Sequence, residues 1–468
     1  MSLHPVLAEK LSVAVSGDGT VPFAATRRDA RLPSIPGKAH AVIGMRRAGK
    51  TTYLHQLMQD RRAVRPAECS LYLSFDDDRL AGIGVEQLGF LLEEYYRRFP
   101  HLRERGQVSW FLDEIQLVPE WERFVRRVLD SEKIEIVVSG SSARMLSREV
   151  HTSLRGRGLA TVIRPFGFRE FLRHRNEEPD SEPIRWKPAQ RSRIEKRFRE
   201  FLIEGGFPEA QELRAETRIE LLQSYVDAVL FRDIVERHAI SQVAALRWLV
   251  RQCLRNPAGR FSAHRLHGDL KAQGHGVAKD AVHALLGHLF DAFLISALPL
   301  ATESERQRNS NPRKLYPVDP GLIGAFDASG RANLGHALET AIFNELERCK
   351  ADIGYAKTEN GFEVDFVARF PGAATELIQV CANPAEPETL ARELRALSDA
   401  AQEHPRAVQR LLVLDRDTAN HVADRASEAA PGVRVQAAHE WLLTERNPDL
   451  PPDSLGRAAP KGRRRPAA

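Results

Sequence analysis

The chain has 468 residues, of which 43% are hydrophobic and 28% are charged, so it is long enough for about two to four domains and too apolar for a disordered protein. The formal net charge of +5 is compatible with a nucleic-acid partner without requiring one. No apolar run has the length of a membrane span, and no secretion signal is expected. The four cysteines (69, 253, 349 and 381) are scattered, which argues against a disulfide framework or a paired-cysteine zinc site. This cysteine usage favours a reducing cytoplasm.

Residues 1–165 divide into a polar N-terminal segment and a core of mixed elements. Residues 1–34 contain a basic stretch at 26–31 and are expected to lead into the core as a helix. From residue 35 to residue 165, strand patterns alternate with helical patterns. This alternation predicts an α/β domain with a parallel sheet and helices on both faces.

The first strand of this core, at 41–43, runs into a phosphate-binding loop of the form G-x-x-x-x-G-K-T, and a helix follows from residue 52. The two glycines let backbone amides approach phosphate oxygens, and the helix N-terminus adds the positive end of its dipole. The lysine reaches the β- and γ-phosphates, and the threonine hydroxyl holds Mg²⁺. ATP and Mg²⁺ are therefore predicted cofactors, with nucleotide-binding residues Gly44, Arg46, Arg47, Ala48, Gly49, Lys50, Thr51 and Thr52.

Two further strands end in polar residues that suit hydrolysis. The strand at 108–112 leads into Asp113, expected to order the Mg²⁺ shell together with Thr51, and Glu114, expected to activate the attacking water as general base. The strand at 134–138 leads into Ser139 and Ser141, which are candidates for sensing the γ-phosphate. The alternative for these serines is an ordinary polar strand end.

Arginines precede the last strand of the core, at 159–163. Arg155 and Arg157 lie where oligomeric ATPases present an arginine finger to the γ-phosphate of a neighbouring subunit. The alternatives are an exposed basic turn or an arginine that pins its own sheet. The finger interpretation predicts a homo-oligomer, with a ring as one possible form.

In this order, the motifs resemble an AAA+ ATPase, in particular the bacterial and archaeal ATPases in which an AAA+ core precedes a poorly characterised C-terminal domain. The matching stretches are residues 44–52, 111–116, 139–142, 154–157 and 205–209, and the likeness runs from about residue 35 to about residue 415. The resemblance implies that residues 166–237 form a helical lid. It also implies that Gly206 and Pro208 of the G-G-x-P sequence lie near the adenine, although the residues alone indicate only a turn between helices.

Residues 238–320 have the pattern of a winged helix. Helices are expected at 244–254, 262–271 and 279–293, with a plausible N-cap at Ser262, followed by two strands around a polar loop at 302–312. Such a module can place its third helix in the DNA major groove and its wing on phosphates. The predicted DNA-binding residues are Arg306, Arg308, Arg313 and Lys314. Because the third helix is poor in base-reading side chains, docking of a protein is the alternative.

Residues 321–446 resemble a restriction-endonuclease-like α/β domain, in which carboxylates on adjacent strands bind Mg²⁺ and a lysine assists the chemistry. Asp365 occupies the first strand position, but the next strand reads Gln379-Val380-Cys381, without the second carboxylate and without the lysine. A degenerate site is therefore predicted, comprising Glu339, Asp365, Gln379 and the candidate substitute Lys357. Residues 447–468 are expected to form a disordered basic tail.

The predicted fold class is α/β: a P-loop AAA+ parallel-sheet core with a helical lid, a winged-helix domain and an α/β restriction-endonuclease-like C-terminal domain. The predicted function is Mg²⁺-dependent ATP hydrolysis by an oligomeric motor or remodeller that acts on DNA, with no membrane partner. Two alternatives stay open at this point. One is a nucleotide-dependent signalling or assembly switch that binds a protein, and the other is an ATP-regulated DNA nuclease.

Overall fold

The computed structural model describes residues 2–16, 26–33, 35–140, 154, 156–327, 333–384 and 386–444. The predicted positions Ser141 and Arg155 and the predicted tail at 447–468 lie outside these residues. Two compact units make up the chain: Met1–His174 with Glu200–Ala341, and Arg175–Arg199 with Ile342–Ala468. Within the described ranges, no helix combines the length and the apolarity that crossing a membrane would require.

This division differs from the predicted boundaries in two places. Residues 175–199, predicted to be part of the lid, belong to the second unit, and residues 321–341, predicted to open the C-terminal domain, belong to the first. Aromatic packing explains the first difference, since the rings of Trp186 and Phe198 lie 6.2 and 5.8 Å from the imidazole of buried His439, measured between ring centroids. The remaining predicted boundaries stay predictions.

A five-stranded parallel sheet forms the centre of the first unit, with strand order β2-β3-β4-β1-β5. Strands β1 and β3 are buried throughout, as expected in a parallel sheet covered on both faces. Because all five strands run the same way, their carboxyl ends meet at one edge, where the last residues of β3 and β4 lie near the start of α2. The strands are β1 (Ala39–Ile43), β2 (Ser70–Ser74), β3 (Val108–Asp113), β4 (Ile134–Ser139) and β5 (Gly158–Val162).

Helices that accompany this sheet pack apolar faces on it, as in α5, where buried Trp121, Phe124, Val125 and Val128 recur at helical spacing. They are α1 (Pro5–Ser16), α2 (Lys50–Arg62), α3 (Glu86–Arg98), α4 (Pro100–Arg105), α5 (Trp121–Ser131) and α6 (Phe168–His174).

After α6 come α7 (Pro188–Glu204), α8 (Ala215–Ala228), a π-helix (Val229–Val235) and the short α9 (Glu236–His238). Each π-helical turn takes in an extra residue, which is rare and often marks a functional site. The π-helix therefore singles out its buried acidic residue, Asp233.

From Val243 to Phe326 the first unit runs helix, strand, helix, helix, strand, helix, strand, helix. Ser262 caps the second of these helices, as predicted, with its hydroxyl accepting from the Arg265 amide at 3.2 Å. The three strands pair antiparallel in the order β6-β8-β7. The elements are α10 (Val243–Arg255), β6 (Arg260–Phe261), α11 (Ala263–Ala272), α12 (Lys279–Asp291), β7 (Ile295–Leu298), α13 (Glu305–Ser310), β8 (Arg313–Pro317) and α14 (Gly321–Phe326).

The second unit has a mixed sheet of order β13-β12-β11-β10-β9. Strands β9, β10 and β11 are antiparallel, and β11, β12 and β13 are parallel. The strands predicted around Asp365, Gln379 and Leu411 are present, while β9, β13 and α17 were not predicted. The elements are α15 (Leu334–Arg348), which has residues in both units, β9 (Asp352–Lys357), β10 (Glu363–Arg369), β11 (Glu376–Cys381), α16 (Pro387–Glu403), β12 (Val408–Val413), α17 (Arg416–Ala429), β13 (Arg434–Ala437) and α18 (Ala438–Leu443).

Candidate active site

The phosphate-binding loop connects the end of β1 to α2, which begins at Lys50. Gly44 has φ 142°, and a Cβ atom there would lie 2.1 Å from the carbonyl oxygen of Ile163. Gly49 has φ 96°, and its Cβ atom would lie 2.9 Å from the guanidinium of Arg28. Only glycine suits both positions, since each combines a positive φ with a neighbouring atom that a Cβ would approach closely.

Lys50 lies folded over this loop. Its side chain is buried, with the residue 6% exposed, and its Nζ donates to the carbonyl oxygens of Gly44 at 3.0 Å and Met45 at 3.1 Å. Burial lowers the pKa of Lys50, and the carboxylates of Glu114 and Asp113 oppose that shift. A buried ammonium that bonds only neutral carbonyls would gain a stronger, charge-assisted partner in a phosphate.

Asp113, the last residue of β3, collects hydroxyl groups from three elements of the described chain. Its Oδ2 accepts from Thr51 Oγ1 and from Tyr72 OH, each at 2.8 Å, and its Oδ1 accepts from the Ser139 hydroxyl. Thr51 lies in the first turn of α2, Tyr72 lies on β2 and Ser139 ends β4. The carboxylate and the Thr51 hydroxyl form an all-oxygen donor set, which fits the preference of Mg²⁺.

Tyr72 is the member of this cluster that sequence reasoning missed. Burial, together with the neighbouring Asp113 carboxylate, raises the pKa of Tyr72, so the phenol stays protonated and donates. Its ring lies 4.1 Å from the imidazole of His55 on α2, between centroids. The one available signal was its place on the strand beside β3.

Glu114, the predicted general base, sits in a strained turn directly after β3. Its backbone is left-handed, with φ 52° and ψ 39°, a conformation that is uncommon for a non-glycine residue and costs some backbone strain. Its amide donates to Ser139 Oγ at 3.1 Å, and its carboxylate accepts from the Gln116 side-chain amide. The turn thus ties Glu114 to the same serine that contacts Asp113.

The two arginines of the loop pair with carboxylates on the helices that follow the core. Arg46 holds Asp233 of the π-helix in a bidentate pair, with Nε–Oδ2 at 2.8 Å and Nη2–Oδ1 at 3.0 Å. Arg47 reaches Glu209 at 3.2 Å in an exposed pair. Their predicted contact with nucleotide stays a prediction, and Asp233 is a partner that no sequence pattern indicated.

The G-G-x-P turn lies against the phosphate-binding loop. Gly206 donates its amide to Asp319 Oδ2 at 2.6 Å, and a Cβ atom on it would lie 2.1 Å from the carbonyl oxygen of Phe166. The Pro208 ring lies 3.8 Å from the position of a Cβ atom on Gly49. The turn is therefore next to the loop, while its contact with adenine stays a prediction.

Arg28 braces the loop from the N-terminal segment. It forms an ion pair with Glu170 at 2.9 Å in which the two side chains are 3% and 4% exposed, and it donates to the carbonyl oxygens of Ala48, at 2.8 Å, and of Arg164. Glu170 also accepts from the amides of Asp29 and Gly167. The sequence showed only a basic stretch here, because the partner lies far along the chain.

Arg157, the described candidate for an arginine finger, precedes β5 at the edge of the sheet opposite the phosphate-binding loop. It is partly exposed and pairs with Asp130 of α5 in its own chain. That ion pair matches the alternative of an arginine that pins its own domain. A finger role would require a neighbouring subunit and stays a prediction, and Arg155 lies outside the described residues.

The predicted DNA-binding arginines and lysine differ in their exposure. Arg306 and Arg313 are exposed and Arg308 is half-buried, and the first and last of the three lie on α13 and β8. The prediction for Lys314 was wrong: it is 3% exposed, and its Nζ binds Glu339 at 3.1 Å. Side chains alternate across a strand, so Arg313 faces solvent and its neighbour faces inward.

Glu339, predicted for a nuclease site, is engaged in the same contact. Its Oε1 accepts from Lys314 and from the hydroxyl of Tyr316 at 2.7 Å, all within the first unit. Its role is therefore an ion pair beside β8, in place of the predicted metal carboxylate. In the structure, the Glu339 carboxylate is a half-buried helix group paired with its neighbours, which was the structural alternative to a metal ligand.

Asp365 and Gln379 meet in the second unit, as their adjacent strands predicted. Asp365 Oδ2 accepts from the Val380 amide at 3.0 Å, and Gln379 accepts from the Asp365 amide and donates to Glu393 at 2.5 Å. Burial raises the pKa of Glu393, and it raises the pKa of Cys381 to about 11. These polar groups are engaged by hydrogen bonds within the domain.

Lys357, the candidate substitute lysine, ends β9 in an exposed position opposite Glu363. Among the residues that the structure describes, no group of three or more His, Cys, Asp or Glu side chains is arranged to hold a metal ion.

Comparison with known proteins places this geometry in a family. Residues 36–172 match the model of an AAA domain, and residues 195–333 match a domain of unknown function, DUF8612. The uncharacterised protein MJ1544 of Methanocaldococcus jannaschii is 33% identical over 359 residues, which cover 76% of this chain and 77% of the relative. The chain belongs to the AAA-domain family of MJ1544. An uncharacterised Haemophilus influenzae protein is 26% identical over 70% of this chain and 78% of its own length.

The AAA domain coincides with the parallel sheet and the phosphate-binding loop, so the predicted α/β fold with a P-loop core is confirmed. Among solved structures, the Aeropyrum pernix ORC1 protein in complex with DNA is 17% identical, covering 69% of this chain and 91% of that one, with a TM-score of 0.26. A structural similarity this low supports no conclusion about the function of this chain. The two relatives of this chain named above are uncharacterised, so its function has to be inferred from the site itself.

Proposed function

We propose that this AAA-domain protein hydrolyses ATP with Mg²⁺. The observation that carries the proposal is the contact of Thr51 with Asp113 at 2.8 Å, next to a loop whose buried lysine donates to two backbone carbonyl oxygens. When bound, Mg²⁺ neutralises phosphate charge and favours attack on the γ-phosphoryl group. Thr51 and Asp113 would hold it. Lys50 would exchange its two carbonyl partners for phosphate oxygens.

Glu114 is the proposed base for the attacking water. Its carboxylate lies one residue beyond Asp113 and has a single amide partner, Gln116, within the described chain. To act as base, Glu114 would accept a proton from the attacking water in addition to or in place of this neutral amide. Ser139 joins the two acids, since it donates to Asp113 and accepts from the amide of Glu114. It is therefore the proposed residue for orienting the γ-phosphate and the water.

We further infer that the protein acts on DNA as an oligomer. The order helix, strand, helix, helix, strand, strand between Val243 and Pro317, with the short helix α13 between the last two strands, supports a winged helix. Exposed Arg306 and Arg313, with half-buried Arg308, supply phosphate contacts from the part corresponding to the wing. An arginine finger at Arg157 would make hydrolysis depend on assembly.

The second unit supports a restriction-endonuclease-like fold, since a helix, three antiparallel strands, a helix and a parallel strand follow one another from α15 to β12. With Asp365 bonded to a backbone amide and no lysine at position 381, we propose that it binds nucleic acid or protein without cleaving.

A protein-binding switch is the second candidate, and the burial of Lys314 favours it. That ion pair removes one of four predicted basic contacts from the DNA-facing surface. The switch predicts a change of oligomeric state between ATP and ADP, without stimulation by DNA.

The deciding experiment is ATP turnover of the full chain at low salt with Mg²⁺, alone and with single-stranded, double-stranded or branched DNA, followed by a gel of the DNA. We expect turnover that one DNA form raises several-fold, with the DNA intact. An unchanged rate would favour the switch, a cut product would restore the nuclease, and an absence of turnover under all conditions would refute the ATPase.

A further inference from the structure

Three hydroxyl groups of the described chain hold the carboxylate of Asp113, but they are not equivalent when Mg²⁺ binds. Thr51 is itself the proposed metal ligand: a lone pair of its hydroxyl oxygen would bind Mg²⁺, while its proton can still donate to Oδ2. Ser139 is shared, because its oxygen also accepts from the amide of Glu114. Tyr72 is left as the donor to Oδ2 that neither the metal nor the base recruits.

The phenol of Tyr72 is well placed to keep that bond. Its strand, β2, pairs parallel with β3 in a register that sets Tyr72 opposite Phe111 and Ser74 opposite Asp113. Its ring packs against His55 on α2, the helix that starts with the phosphate-binding lysine. The hydroxyl is therefore carried by a ring fixed between the sheet and the P-loop helix, and little side-chain freedom remains to be lost when the site fills.

We propose that Tyr72 is a positioning residue for Mg²⁺: its hydroxyl keeps the Asp113 carboxylate in one orientation beside Thr51, the residue that would bind the metal. This inference rests on the proposed function. It assigns Tyr72 no contact with nucleotide, water or phosphate. The effect should appear in the metal requirement and in kcat, and not in the affinity for ATP without metal.

The test removes only the hydroxyl. Tyr72→Phe keeps the ring that packs on His55, and Tyr95→Phe is the matched control, since Tyr95 is a buried tyrosine of α3 whose hydroxyl donates to the carbonyl oxygen of Glu68 at 2.5 Å. Binding of a fluorescent ATP analogue is titrated with Mg²⁺, and ATP turnover is measured on the same samples. Thermal unfolding shows whether both variants fold.

For Tyr72→Phe we expect a half-saturating Mg²⁺ concentration raised about tenfold and kcat lowered by a similar factor, as for the loss of one hydrogen bond to a charged group. The KM for ATP and metal-free binding should change less than about twofold. Tyr95→Phe should match the native protein in all of these.

The inference is overturned if Tyr72→Phe and Tyr95→Phe have the same Mg²⁺ requirement, or if Tyr72→Phe only raises KM. If the native protein binds the analogue but does not turn over ATP, the proposed hydrolysis fails. The Mg²⁺ titration of binding then still decides the role of Tyr72.

Discussion

Replacing Arg28 by methionine should strongly destabilise the first unit. The guanidinium contacts Glu170 at 2.9 Å, where the two side chains are 3% and 4% exposed, and it also bonds the carbonyl oxygens of Ala48 and Arg164. Methionine would fill much of the volume but leave the buried Glu170 carboxylate without its guanidinium partner. Breaking one side of such a pair costs about 3–5 kcal/mol.

The neighbouring arginine provides the control. Arg27 pairs with Asp60 at 2.5 Å, but those side chains are 56% and 39% exposed, so Arg27→Met should cost about 0–1 kcal/mol. The double variant Arg28→Met/Glu170→Met removes both charges and should recover part of the loss, because no buried charge is left alone.

The assay is urea unfolding followed by circular dichroism, with ATP binding measured below the transition. Because Arg28 also braces the loop through Ala48, affinity for ATP should fall along with stability. The reasoning is refuted if the free energy of unfolding of Arg28→Met lies within about 1 kcal/mol of that of Arg27→Met. It is also refuted if replacing Glu170 in the Arg28→Met background lowers the free energy of unfolding by as much again as Arg28→Met did.

Three further outcomes are expected. Lys50→Ala should abolish or severely weaken ATP binding in an equilibrium titration, and near-native affinity would contradict the assigned loop. Arg306→Ala with Arg313→Ala should weaken binding of all DNA sequences alike and reduce the salt slope by about 1 per lost phosphate contact, whereas the exposed control Arg123→Ala should not. Burial lowers the pKa of His439 from 6.5 to about 4, so the unfolded chain takes up the proton first as the pH falls through that window. The second unit should lose about 3 kcal/mol by pH 4 from this residue alone, and urea midpoints of His439→Leu should lack that part of the pH dependence.

The elements of the site that follow one another closely in sequence could be predicted. The phosphate-binding loop is a contiguous pattern flanked by a strand and a helix, and Asp113 follows an apolar strand whose carboxyl end must meet that loop in a parallel sheet. The same logic brought Ser139 to the correct edge, because each of these placements depends on strand direction alone.

Buried contacts between residues that lie far apart in the sequence could not be predicted. Arg28 and Glu170 lie 142 positions apart, and Arg46 and Asp233 lie 187 apart, so no local pattern links them. Lys314 was misassigned because one step along β8 exchanges a solvent-facing position for a buried one.

The sequence pattern also did not predict where one compact unit ends and the other begins. The segment at 175–199 is polar and ends in a helix that begins at Pro188, a pattern that fits a lid, but its Trp186 ring packs with His439 of the second unit. The π-helix around Asp233 has no sequence signature either, since it differs from an α-helix by a local change of hydrogen bonding.

The central claim, that Glu114 activates water for ATP hydrolysis beside Asp113, is tested most directly by identifying the nucleotide that Glu114→Gln retains. Native and variant chains are incubated with Mg²⁺ and labelled ATP, separated from free nucleotide, and the bound label is analysed. The account predicts ADP and released phosphate from the native chain and intact ATP on Glu114→Gln. Conversion to ADP by Glu114→Gln at the native rate would contradict it.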